Sequence, residues 1–105
     1  MPKSYRLVQT QQFKYDFKEA IRFLSVTLGN APAADALIDE FERVSDLVSS
    51  FPLSMPQYED TLSNSDEIYR VADVKKYLAF YVVKDDTVEF RRFLYARSNI
   101  PVWLA

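Results

Sequence analysis

The chain of 105 residues contains no cysteine and no histidine. The first absence excludes a disulfide framework and a thiolate zinc site, and it fits a reducing compartment. The second removes the commonest general acid–base and the commonest metal ligand together. Glycine occurs once, so a left-handed backbone is cheap at Gly29 alone. No apolar run approaches the roughly 20 residues that span a bilayer. The opening "MPKSYRLVQT" lacks the long apolar region of a signal peptide. These absences lead us to expect a cytoplasmic protein of bacterial type, with no membrane contact, no metal and no cofactor.

What is there is a balance of 49% hydrophobic and 27% charged residues, which suits one globular domain over residues 1–105. The net charge of −2 argues against a polyanion as partner, but its distribution is uneven. Residues 1–30 carry a net +3, residues 31–69 a net −8 and residues 70–105 a net +3. A fold that parts the middle from the two ends is bipolar. The simpler reading makes Asp35, Asp39, Glu40, Glu42 and Asp46 a solvated helix face.

Hydrophobic spacing divides the chain. "SYRLVQ" (4–9) is rich in β-formers and reads as a strand. Phe13, Phe17, Ile21, Leu24 and Leu28 recur at helical spacing, which predicts a helix from about 11 to 28, capped by Thr10 and ended by Gly29. Asn30 caps a second helix with Pro32 in its first turn. Leu37, Phe41, Val44 and Val48 form its apolar stripe, and Asp39 with Arg43 suits an i,i+4 pair. The short link makes the two helices an antiparallel hairpin. Residues 49–66 read as a loop, with prolines and small polar residues. Three β-rich runs follow, with turns at Lys75-Lys76 and Asp85-Asp86. The expected class is α+β: an N-terminal strand, an antiparallel helix hairpin, then a three-strand antiparallel meander.

The last run, "TVEFRRFLYA", poses a problem of phase. Alternation groups Val88, Phe90 and Leu94 with Arg92, and sets Glu89 and Arg91 on the opposite face with Phe93 and Tyr95. Either a bulge resets the phase at Arg91-Arg92, or Arg92 snorkels from the edge of the core. Asp85-Asp86 makes a turn rather than a metal site, since two adjacent acids lack a third ligand. Trp103 is either a C-terminal core anchor or a partner contact.

The segments "NAPAADALIDEF", "SFPLSMP", "YRVADVKKYLAFYVV" and "VEFRRFLYARSNI", in this order and over nearly the whole length, resemble the RelE/ParE superfamily of toxins from type II toxin–antitoxin modules. The resemblance implies a βααβββ fold and a growth-arresting, plasmid-stabilising toxin held inactive by a cognate antitoxin. Members divide between ribosome-dependent mRNA endoribonucleases (mRNA interferases, RelE- and YoeB-like) and DNA gyrase inhibitors (ParE-like), which bind rather than catalyse. The RelE-like activity is the first expectation and the ParE-like one the alternative. Two features run against a nuclease: the absence of histidine, where YoeB-like members commonly end with a histidine acid, and a pI near 5.1.

The resemblance maps the family's strand arginine onto Arg70 and its C-terminal cluster onto Arg91, Tyr95 and Arg97. For RNA cleavage it implies Arg70, Arg97 and Tyr95 as catalytic groups, because guanidinium forks suit phosphate oxygens and the reaction needs charge stabilisation. Arg91, Lys75, Lys76 and Tyr81 are expected to hold RNA, with Tyr81 or Tyr95 stacking on a base. Glu59, Glu67 and Lys75 are candidate bases. The plainer reading of Arg70 is a pair with Glu67 or Asp73. An apolar, partly open groove near Phe13, Phe17, Phe41 and Val44 is expected to take the antitoxin's amphipathic helix. A homodimer on the same surface is the alternative.

Overall fold

A computed structural model describes residues 4–58 and 67–104. The order is β1 (Arg6–Gln9), α1 (Gln11–Arg22), α2 (Ala31–Ser50), β2 (Arg70–Val74), β3 (Tyr77–Lys84), β4 (Thr87–Tyr95) and a short α3 (Ile100–Leu104). The expected α+β architecture is present. β2, β3 and β4 form an antiparallel meander, and β1 joins β4 in parallel, giving the order β1-β4-β3-β2.

Local chemistry sets the helix ends. Thr10 accepts from the Phe13 amide at 3.1 Å and Asn30 from the Ala33 amide at 3.1 Å, each quenching an orphan donor of a first turn. The first helix does not run regularly to residue 28. Phe23–Thr27 widen into a π-helical turn, in which the Leu28 amide donates to the Phe23 carbonyl at 2.9 Å. The extra residue turns the side chains away from the stripe, so Leu28 stands 58% exposed instead of packing inward. Gly29 then takes φ +59, a left-handed value that a Cβ would penalise. In α2, Arg43 pairs with Glu40 through bonds of 2.8 and 3.0 Å rather than with Asp39. The fork reaches the i−3 carboxylate in both oxygens, which outweighs a single i,i+4 contact.

The loop read as 49–66 is shorter than expected at its start. Ser49 and Ser50 end α2, residues 52–54 form a 3-10 turn, and Pro56–Tyr58 run along the outer edge of β2. The Val71 amide donates to Pro56 and the Tyr58 amide to Tyr69, covering that edge. Both hairpin turns have two residues, and Lys75 and Asp85 carry positive φ at the first position, as tight hairpins require.

The helices cover one face of the sheet. Phe13, Leu37, Phe41, Val44 and Val48 pack there against Ala72, Val74, Ala79, Tyr81, Val88, Phe90 and Phe93. Phe13 sits with Phe17, Phe41, Phe90 and Phe93 at centroid distances of 5.3–6.3 Å. On the other face Phe80 and Leu94 are covered by α3 through Ile100 and Leu104.

A bulge resolves the phase of β4. Phe80 faces Arg92 while Tyr81 faces Phe90, leaving Arg91 as the extra residue. Phe93 therefore joins Val88 and Phe90 on the helix face, while Leu94 moves to the other face with Arg92, contrary to strict alternation. β1 ends beside this bulge, and α1 takes over its pairing. The Thr10 hydroxyl donates to the Arg91 carbonyl at 3.2 Å, and the Asp16 carboxylate accepts from the Phe93 amide at 3.0 Å.

A candidate binding face at the Lys76–Arg97 end of the sheet

The strand arginines hold internal partners. Arg70 donates to the Leu53 and Met55 carbonyls at 3.2 and 2.7 Å, not to Glu67 or Asp73. The carbonyls are fixed over its strand by the 3-10 turn, whereas Glu67 belongs to another arginine. Arg91 binds Glu67 with bonds of 3.2 and 2.7 Å and also contacts Glu89. The bond from Arg91 holds the Glu67 carboxyl below its usual range, and Lys84 at 3.6 Å adds to this. Arg92 forms a fork on Asp16 at 2.7 and 3.1 Å, donates to the Trp103 carbonyl at 3.0 Å, and lies 5.5 Å from the Trp103 ring centre. Trp103 is thus a partly exposed cover on Arg92 rather than a core anchor.

Several expected site residues are core residues. Tyr81 is buried and donates to the Pro52 carbonyl at 2.5 Å, so its ring offers no surface for a base. Burial pushes its phenol up to about 12, partly opposed by the Arg70 charge. Phe13, Phe41 and Val44 are buried against the sheet, and Phe17 packs beside them. They form no open groove, because β4 already fills the stripe that their spacing presents. Of the candidate bases, Glu67 is engaged with Arg91, Lys75 lies exposed in the β2–β3 turn, and Glu59 lies outside the described residues.

The remaining candidates come together at one end of the sheet. Tyr95 pairs with Tyr77 across the ladder, next to the β2–β3 turn that carries Lys75 and Lys76. The Ala96 amide donates to the Lys76 carbonyl at 2.9 Å, and Ser98 turns back onto the Tyr95 carbonyl. This tight turn sets Arg97 beside Lys76, and with Tyr95 they line a cleft of about 220 Å³. Arg70 is not part of this group. It pairs with Tyr81, four residues from Tyr77 along β3, or about 13 Å at a strand's rise of about 3.3 Å per residue.

Adjoining the cleft is a largely apolar groove of about 510 Å³, lined by Phe23 and Leu24 of the π turn, Leu28 after it, Lys76, Tyr77 and Tyr95, with Ala20 and the acids Asp16 and Glu19 on the helix side. Phe23, Leu28 and Tyr95 are 47%, 58% and 42% exposed. The sequence reading missed this groove, since it took residues 11–28 as one regular helix. The signal available was Phe23 and Val26, two apolar residues off the predicted stripe.

The family model described as the ParE toxin of the type II toxin–antitoxin system, parDE, matches residues 7–100. The chain belongs to this family. The toxin is also similar in fold to solved structures of low identity. One is described as the chromosomal ParDE toxin–antitoxin system from P. aeruginosa: 12% identity, TM-score 0.67, covering 90% of this chain and 99% of that one. A second is the archaeal RelE-RelB complex from Pyrococcus horikoshii OT3: 17% identity, TM-score 0.59, with coverage of 90% and 99%. A third is the E. coli DinJ-YafQ complex: 18% identity, TM-score 0.59, with coverage of 87% and 92%. A search of the curated proteins finds no match to the sequence. The fold and the family are those of a type II toxin of the RelE/ParE superfamily.

Proposed function

We propose that the toxin arrests growth by binding, in the manner of ParE-like inhibitors of DNA gyrase, and that a cognate antitoxin masks it. The observation that carries this reading is the engagement of Arg70, Arg91 and Arg92 with carbonyls and carboxylates of the protein itself. Catalysis of RNA cleavage calls for guanidinium groups free to meet a phosphate and converging on one point. Here Arg70 lies about 13 Å along the strands from the Tyr95–Arg97 turn, and Tyr81 is buried. The family model matched is the ParE one, which supports the same choice. The relatives of similar fold are described as toxin–antitoxin systems and complexes, which supports an antitoxin partner for this chain.

The nuclease reading, with Arg70, Arg97 and Tyr95 as catalytic groups, predicts cut transcripts in cells, and the binding reading predicts the opposite. Expression without antitoxin should arrest growth while transcripts stay whole, and co-expressed antitoxin should restore growth and co-purify. Arrest accompanied by cut transcripts would reverse the choice between the two readings.

A further inference from the structure

The apolar groove at the π turn lies open, with a cation on its sheet side and Asp16 and Glu19 on its helix side. Lys76 borders it, and Arg97 stands across the adjoining cleft, with Tyr95 shared by both. Among the described residues no carboxylate forms an ion pair with Lys76 or Arg97. On the strands Arg70, Lys84, Arg91 and Arg92 each have a partner, in a chain whose net charge is −2. Of the acids on the opposite bank, Asp16 is enclosed and held by Arg92, while Glu19 stays partly exposed and meets Arg22 only at 3.9 Å. Exposed apolar side chains beside unpaired cations suit an acidic amphipathic segment, because its apolar side chain leaves water while its carboxylates meet fixed positive charge.

We propose that this groove is the surface that grips the toxin's target. An acidic amphipathic segment of the target protein lays an apolar side chain between Phe23, Leu28 and Tyr77, and sets its carboxylates on Lys76 and Arg97. The proposal rests on the binding-inhibitor reading given above and adds to it the docking surface and the chemistry of the segment. The π turn has a definite part in it: a regular helix would carry Leu28 onto the buried stripe and close the groove wall. The 42% exposure of Tyr95 supplies the aromatic edge between the apolar and charged halves.

The test places p-benzoylphenylalanine at Leu28 or Tyr95, with the exposed Ile68 at the far end of β2 as control position. Purified gyrase is the probe, and supercoiling is followed in the same tubes. Photo-crosslinks to a gyrase subunit are expected from positions 28 and 95 and not from 68. The double variant Lys76→Glu, Arg97→Glu should raise the toxin concentration for half-maximal inhibition at least about tenfold, as for loss of a charged contact at an interface. Inhibition without a crosslink from 28 or 95 removes the docking surface alone. So does a crosslink to a second copy of the toxin, or full potency in the charge-reversed variant. Failure of the unsubstituted toxin to inhibit supercoiling removes the binding-inhibitor reading and this proposal together.

Discussion

Tyr81 illustrates how a residue chosen for its chemistry can be held for another reason. Its hydroxyl ties β3 to the Pro52 carbonyl beneath the 3-10 turn, and Arg70 fastens the next carbonyls of that turn. The two side chains act as a clasp on the chain leaving α2. Burial raises the phenol from 10.0 to about 12, so folding favours its neutral form. That stabilisation is complete below pH 10 and is lost as pH rises toward about 12, because the unfolded chain releases the proton first. Tyr81→Phe should lower stability at neutral pH by about 1 kcal/mol, the worth of a hydrogen bond left unmade. It should also flatten the alkaline decline, with Tyr77, raised by burial in the same sense, accounting for what remains. Urea unfolding at several pH values measures both. Identical pH dependence in the variant and the parent would contradict the assignment. Nothing in the sequence distinguishes Tyr81 from Tyr95, since both sit at strand positions that favour aromatics. Only the covering turn separates them.

Elements meet at the bulge of β4. Where β1 stops at Gln9, the cap residue Thr10 and Asp16 of α1 meet the open edge, and Arg92 extends the same contact to α3. Asp16 thus joins α1 to β4, with its side chain 7% exposed and that of Arg92 17% exposed. Asp16→Ala should cost about 3 kcal/mol, because it strands a largely enclosed guanidinium and an edge amide. Arg43→Ala, which breaks an exposed pair with Glu40, should change stability by no more than about 0.5 kcal/mol. Denaturant midpoints of the two variants check the contrast, and equal losses would contradict it. The sequence carried the local parts of this scale well. Thr10, Asn30 and Gly29 mark helix ends through short-range chemistry, and the Lys75 and Asp85 turns follow from spacing. It held the bulge as one of two alternatives. The parallel pairing of β1 with β4 was not legible, since it joins residues some eighty positions apart with no periodic sign. The π turn was hidden for a different reason: its apolar residues keep enough helical spacing to pass as one stripe.

For the molecule as a whole, the uneven charge along the chain becomes a spatial arrangement. Asp35, Asp39, Glu42 and Asp46 lie on the exposed side of α2, as a wet face. Lys75 and Lys76 lie in the β2–β3 turn with Arg97 beside Lys76, while Arg91 and Arg92 are paired with carboxylates and Arg70 with carbonyls. The groove expected at Phe13, Phe17, Phe41 and Val44 was misplaced because a stripe reveals which face is buried, not what covers it. The sheet covers it, and the open apolar surface lies one turn further on at Phe23 and Leu28. A toxin that works as proposed grips a protein target through this arrangement and leaves RNA intact. Supercoiling of relaxed plasmid by purified gyrase, measured against increasing toxin, reads this out. Inhibition is expected to rise with toxin and to be relieved by the cognate antitoxin; full supercoiling at a large molar excess of folded toxin would rule out a gyrase-binding toxin.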